Sequence, residues 1–372
     1  MKFRAERSEF ADAASWALRT IGQRATLPAL SGVHLTVADD RLVLASTDLD
    51  LTSELSISVQ AEQEGSALVP GRLLGDVVRN LPQAAVTAEV REGDKLDLVC
   101  GRAHFTLRTM PVEEFPELAR PSEGAAVAVI KAEEFARTIQ QVARAASTED
   151  ARPVLTGVSL NAEGGVLTAA ATDSYRLAVR TVPWDQGTDT SVLVPRRALE
   201  EARRAAEQLG GEVRLVLEPS QVTFDFGDRR LTASLLEGKF PDYQQLIPSD
   251  YDRRLVVERT ELMEVVRRIA VVGEANATAT PVTLQLSADT VRVTAGSGEV
   301  GEAEEALPGA LEGEPLEIAF NPRYLADGLD AIAADRVVLE FRDELKPAVL
   351  RPVDADDEAS GDFLYLLMPV RL

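Results

Sequence analysis

An internal repeat limits the fold of this chain more than any other feature. Pro28, Leu30, Gly32, Val33, Leu35, Leu42, Thr47, Asp48, Leu68, Val69, Pro70, Phe115 and Pro116 each recur 125 positions on. The copies are Pro153, Leu155, Gly157, Val158, Leu160, Leu167, Thr172, Asp173, Leu193, Val194, Pro195, Phe240 and Pro241. Positions between them slip by one, so small compensating gaps separate the copies. A weaker third copy follows. PVTLQL at 281–286 echoes PVLTGVSL at 153–160, and NPRYLADGL at 321–329 echoes VPRRALEEA at 194–202 and VPGRLLGDV at 69–77. Self-similarity at a fixed period marks a chain built from copies of one module, and three modules of about 124 residues fill the 372. Breaks near RPSEGAA (120–126) and PSDYDRR (248–254) divide the chain into domains 1–122, 123–252 and 253–372.

Each module reads alike. An amphipathic helical stretch opens it: SEFADAASWALRTI (8–21), EEFARTIQQVARAA (133–146) and TELMEVVRRIAVV (260–272), with apolar residues near i, i+3, i+4. Short alternating strands follow, such as LVLAS (42–46), VLTAAA (166–171) and VRVTA (291–295). Pro70, Pro195 and Pro322 are placed to open a second helix, where a first-turn proline loses no hydrogen bond. More strands close the module. The expected fold class is α+β, with two helices packed on antiparallel sheets in each of three repeated domains.

Charge complicates the function. A hydrophobic fraction of 45% supports real cores and excludes wholesale disorder. One cysteine, Cys100, excludes a disulfide framework, and two histidines, His34 and His104, leave little for a His-rich metal site. The start MKFRAERSEF lacks the apolar core of a secretory signal, and no apolar run approaches the roughly 18 residues of a membrane span, so a cytoplasmic protein without membrane contact is expected. A net charge of −22 ordinarily argues against nucleic-acid binding. The six helical windows, however, together carry +3, so the remainder carries −25. If the helices share one surface, that surface is a basic lane in an acidic body, suited to salt-dependent attraction of a phosphate backbone. Ordinary surface helices laced with i, i+4 ion pairs give the same modest bias.

The start MKF, TLPALSGV (26–33), ATDSYRLAV (171–179), FPDY (240–243) and the ending LMPVRL (367–372) resemble the bacterial DNA polymerase sliding clamps, the beta subunits of the replicative polymerase. The resemblance runs in order along essentially the whole chain. It implies DNA-clamp domains whose head-to-tail dimer forms a pseudo-sixfold ring, helices lining the hole and sheets outside. A row of three modules has two open ends, and a two-fold dimer leaves no sheet edge free. The implied function is a processivity factor, not an enzyme, with no cofactor and no metal. The ring encircles double-stranded DNA without reading sequence and tethers its clients topologically. The implied partners are the polymerase alpha subunit, the clamp loader, translesion polymerases, mismatch repair proteins and ligase.

The resemblance also implies residues. A peptide-binding pocket matches Leu155, Thr172, Ser174, Tyr175, Arg176, Leu177, Pro241, Leu246, Leu366 and Met368 in its deeper part. Arg152, Asn321, Tyr324, Leu345, Pro347, Pro369, Val370 and Arg371 match the shallower part. Leucine, proline, methionine and tyrosine make an apolar socket for aliphatic and aromatic anchors, although buried aliphatics more often serve a core. Val154 stands where the family often has an aromatic, and Gln245 where it often has arginine, which keeps a duplicate, resistance-type clamp with an altered pocket as the alternative, beside a repeat scaffold that never touches DNA. For DNA, Arg24 matches an inner-rim position, while Arg72, Arg137, Arg196, Arg197 and Arg203 are placed by helix location alone. For closure, Phe105 and Leu107 match interface positions at one end and Val271 and Val272 at the other, with Arg102 set to pair with Glu302 or Glu304 across the joint.

Three other signals carry less. GSGEVG (296–301) fits a dinucleotide fingerprint but runs into Pro308 and Gly309 instead of a helix, and the repeat frame makes it a turn between strands. DADDE (354–358) lacks the glycine and closing glutamate of a calcium loop and reads as an acidic hairpin tip. Cys100 and His104, four apart, are expected on one face of a strand without the third group a nucleophile needs.

Overall fold

Alternation of buried and exposed side chains is clearest in two strands of the first repeat. In Leu51–Ser58 the side chains of Leu51, Ser53, Leu55 and Ile57 are buried while their neighbours are not, and Val33, Leu35 and Val37 do the same in Gly32–Ala38. The computed structural model describes residues 1–22, 27–91, 94–122, 125–149, 151–184, 189–274, 280–297, 301–353, 358–359 and 361–371. Among the described residues six α-helices punctuate the strands: α1 (Arg7–Ala17), α2 (Gly71–Asn80), α3 (Ala132–Val142), α4 (Arg196–Leu209), α5 (Arg259–Glu274) and α6 (Pro322–Ala331). They fall at two per module, as the sequence pattern requires. Pro322 is the first residue of α6, behind an Asn321 cap that accepts from the Arg323 and Tyr324 amides. Pro70 and Pro195 differ from expectation. Each closes a strand, Gly65–Pro70 and Thr190–Pro195, one residue before its helix begins.

The chain packs as two units. One comprises Met1–Phe135 and Glu201–Leu235; the other comprises Ala136–Glu200 and Leu236–Leu372. The boundary falls inside the middle repeat because each of that repeat's two sheets is continuous with a sheet of a neighbouring repeat.

The first unit holds a five-stranded sheet I and an eight-stranded sheet II. In sheet II, the strand Arg229–Ser234 of repeat two pairs with Leu51–Ser58 of repeat one, Leu231 opposite Ser53 and Thr232 opposite Thr52. Helix α1 buries Phe10, Ala13, Ala14 and Trp16 and packs on the strands Arg41–Thr47 and Leu51–Ser58, with α2 beside it. The second unit holds a nine-stranded sheet III and a four-stranded sheet IV. In sheet III, Arg176–Pro183 of repeat two pairs with Phe363–Leu367 of repeat three, Ala178 opposite Tyr365 and Leu177 opposite Leu366. Helices α5 and α6 pack together, and α5 also covers sheet IV.

The two joints are one structure made twice. Leu231 lies opposite Phe224 and Ser53 opposite Ser46 in sheet II; Tyr365 lies opposite Leu350 and Ala178 opposite Ala171 in sheet III. The same ladder places Phe105 opposite Leu98 in sheet I and Ala303 opposite Ala295 in sheet IV. There, however, Ala103–Arg108 and Gly301–Pro308 are edge strands.

One minor signal resolves differently. Cys100 and His104 do not share a strand. They sit on Lys95–Cys100 and Ala103–Arg108 either side of a turn, with Cys100 fully buried and its thiol near the Pro82 and Ala84 carbonyls. GSGEVG joins two paired strands, with Gly296 opposite Glu302; residues 298–300 lie outside the described residues. Most of DADDE, residues 354–357, also lies outside them, between Val353 and Ala359, which form an antiparallel bridge.

Candidate functional site

The sheet III joint carries an apolar outer face. Ala170, Leu177, Val179, Val349 and Leu366 form a buried cluster, and Phe240, Tyr243, Ile247, Tyr251 and Leu364 pack against it. Four of those five covering residues come from one strap, residues 240–251, which crosses the sheet. Of the strap positions expected to face a ligand, Pro241 and Leu246 stand exposed on it. Leu177 and Leu366 belong to that buried cluster, and Leu155 is buried as well. Gln245 is exposed and donates to Asp242 at 2.8 Å. Val154 is half-buried.

A turn and a helix end build the wall. In TDSYR, the Thr172 hydroxyl donates to the Arg176 carbonyl at 2.6 Å and accepts from the Ser174 amide at 3.1 Å. Asp173 accepts from the Tyr175 and Arg176 amides at 2.9 and 3.1 Å. These bonds hold Ser174 in the left-handed region at φ 81°, costly for a residue with a Cβ, and push the Tyr175 side chain out, 59% exposed. Tyr175 stacks on Tyr324 with ring centres 6.3 Å apart. Its carbonyl accepts from the Met368 amide at 2.9 Å, tying the terminal segment to the wall, and Val370 donates to the Ala319 carbonyl at 2.8 Å. Arg152 donates to the Ser174 hydroxyl at 2.9 Å. Met368, Val370 and Arg371 are exposed and Pro369 is half-buried. Leu345 is exposed and Pro347 half-buried on the turn before Ala348–Pro352.

Under the wall lies a buried charge cluster. Arg176 donates to Asp173 at 2.9 Å, to Asp327 of α6, and to the Tyr365 hydroxyl at 3.3 Å. Its guanidinium sits 4.4 Å from the Tyr324 ring centre. Burial opposes its charge, but Tyr365, Asp327 and Asp173 outweigh that, and its pKa is raised. Burial pushes the Tyr365 hydroxyl well up. That hydroxyl donates to the Tyr324 carbonyl at 3.0 Å. Gly328 admits the Tyr365 ring against α6: a Cβ there would lie 2.5 Å from the ring.

The repeat explains why only one joint is apolar. Laddered against sheet III, the sheet II positions matching Ala170, Leu177, Val179, Val349, Leu364 and Leu366 are Ala45, Thr52, Glu54, Thr223, Arg230 and Thr232. Thr223 and Thr232 bond to each other at 3.0 Å. A cleft of about 1240 Å³ overlies this first joint, lined by His34, Phe115, Glu54 and Arg230 among others. Asp173, Val179, Val349, Asp327, Tyr365 and the strap aromatics were not legible as site residues. The aligned repeats do carry a signal for the floor: aliphatics in copy two stand where copy one has threonine and glutamate.

The remaining expected residues lie on helices and at or beside the edge strands of both units. Arg72 of α2 is exposed and donates to the Gly22 carbonyl at 3.2 Å. Arg137 and Arg197 are exposed on α3 and α4; Arg196 and Arg203 are half-buried on α4, Arg203 paired with Glu207 at 2.6 Å. Arg24 lies outside the described residues. At the free edges, Phe105 is 39% exposed while its joint counterparts Leu231 and Tyr365 are 0% exposed. Leu107 is buried, Val271 is 65% exposed and Val272 is half-buried. Arg102 and Glu302 are exposed, and Glu304 is already paired with Arg292 at 2.7 Å within its own sheet. Among the described residues no three His, Cys, Asp or Glu side chains gather as a metal site, and no helix is long and apolar enough to cross a membrane.

Family models of the DNA polymerase III beta subunit match the chain in three consecutive pieces: the N-terminal domain over residues 1–119, the central domain over 129–242 and the C-terminal domain over 244–371. The beta sliding clamp of Streptomyces coelicolor is 40% identical with all of both chains covered. The beta sliding clamp homolog GriR of Streptomyces muensis is 33% identical over all of this chain and 99% of that one. A Pseudomonas aeruginosa sliding clamp solved with griselimycin bound superimposes with a TM-score of 0.93 at 31% identity, both chains fully covered. The chain belongs to the DNA polymerase III beta subunit family, the bacterial sliding clamps that act as polymerase processivity factors.

Proposed function

We propose that two copies of this chain, each with domains 1–122, 123–252 and 253–372, close head to tail into a ring around duplex DNA. One observation carries the reading. Two of three equivalent sheet joints are closed within the chain, and the strands of the third are left as edges. A partner supplies what is missing. Copying the register of the closed joints puts Phe105 opposite the partner's Ala303, Thr106 opposite the partner's Glu302 and His104 opposite the partner's Glu304. Arg102 then falls nearer the partner's Glu304 than the partner's Glu302. Two-fold symmetry closes both ends at once.

The ring works by topology rather than by chemistry. Arg72, Arg137, Arg196, Arg197 and Arg203 on the helices supply salt-dependent attraction to phosphates, and the acidic remainder discourages DNA elsewhere. Polymerase alpha subunit, clamp loader, translesion polymerases, mismatch repair proteins and ligase dock short apolar segments in the sheet III socket, in the cytoplasm where DNA is replicated. The higher identity to the Streptomyces coelicolor clamp than to GriR favours the replicative clamp over a duplicate.

The test is retention on DNA. Loaded protein should stay on a closed circle and leave once the circle is cut. Equal retention on both removes the topological reading.

A further inference from the structure

We propose that Asp327, which lies on α6 behind the socket, is a positioning residue for peptide capture, acting through Arg176 on the Tyr324 wall. This rests on the peptide-socket reading above. Arg176 is held at both ends of its guanidinium. Asp173, in the arginine's own turn, takes Nε at 2.9 Å. Asp327, from a helix of the next repeat, takes Nη1. A planar fork held at two corners has one orientation, and here that orientation places the cation over the Tyr324 ring.

With Asp327 neutralised, the Nη1 end exchanges a charge-assisted acceptor for a weaker amide oxygen beside the 3.3 Å contact to the Tyr365 hydroxyl. The guanidinium can then turn about its Asp173 contact, and Tyr324 loses the cation that fixes its face toward Tyr175. Asp327 itself has another duty that would survive neutralisation: its backbone carbonyl accepts from Arg144 at 3.2 Å, and Arg144 is also anchored by Asp330 at 2.8 Å. The side chain is thus separable from the seating of α6.

The experiment is calorimetry on the full-length protein with griselimycin as probe. Asp327→Asn should weaken binding about tenfold, the order of a partly desolvated cation–π contact, and Asp327→Glu should recover most of it. In a Tyr324→Ala background, Asp327→Asn should change nothing further, because its effect passes through that ring. An equal loss in both backgrounds overturns the proposal in favour of general destabilisation. Wild-type protein that binds while Asp327→Asn binds as tightly overturns it alone. Wild-type protein that leaves the probe unbound overturns the socket, and this role with it.

Discussion

Replacing Phe105 by alanine should break the proposed dimer. In the closed joints the matching side chains Leu231 and Tyr365 are fully covered, whereas Phe105 is 39% exposed. A phenylalanine offers about 200 Å² in all, so a partner strand stands to cover about 80 Å² more. At about 25 cal/mol/Å² that is about 2 kcal/mol for each joint. A two-fold ring has two such joints, so the loss is about 4 kcal/mol, or about a thousandfold in the dimer Kd. Sedimentation velocity over a dilution series measures it. Phe105 also packs inside its own sheet, so Val271→Asp serves as the companion variant. Val271, on α5, is 65% exposed, and its change should cost dimerisation while leaving the diluted monomer folded. A dimer Kd within about threefold of wild type for both variants would refute the claim that these edges are an unfilled copy of the internal joints.

Two further outcomes follow from the same geometry. The double variant Val349→Thr, Leu366→Thr gives the socket the floor of the first joint, where Thr223 and Thr232 bond to each other. It should stay folded, lose about 2–3 kcal/mol of stability and bind a docking peptide of the polymerase alpha subunit at least tenfold more weakly; unchanged affinity by calorimetry would move the socket elsewhere. Asp97 is held below the ordinary carboxylate range, first by the Thr106 hydroxyl at 2.6 Å and then by Arg91 and His104. Its contribution is therefore complete above its unfolded pKa and is lost as pH falls through the depressed folded value. Asp97→Asn should flatten the acid limb of the stability curve below about pH 4, followed by thermal melts; an unaltered slope would show that another carboxylate governs that limb.

Much of this was legible without coordinates, though unevenly. The helices at 8–21, 133–146 and 260–272 announce themselves through apolar spacing, and their counterparts in the structure start within two residues of it. Second helices were placed correctly, but their start was set one residue early at Pro70 and Pro195, because a strand can end on a proline as readily as a helix can begin on one. Between Cys100 and His104 the local mark of the turn is a single glycine, Gly101, at φ 58°, and one turn moves two residues from a shared face to separate strands. In the proposed socket, Thr172, Ser174, Tyr175, Arg176 and Tyr324 lie side by side. Asp327 could not be foreseen, since its side chain joins Arg176 through a bond between residues 151 positions apart.

By itself, the sequence determined the module, its number and its two-helix, many-strand content, because those follow from local periodicity repeated at a fixed offset. Tertiary structure decided which residues face one another across repeats. That choice depends on strand register, and a slip of one residue sends every side chain to the opposite face. Only with the ladders in place does Leu177 fall against Leu366 while Thr52 falls against Thr232, and only then does one of two matching joints become an apolar socket.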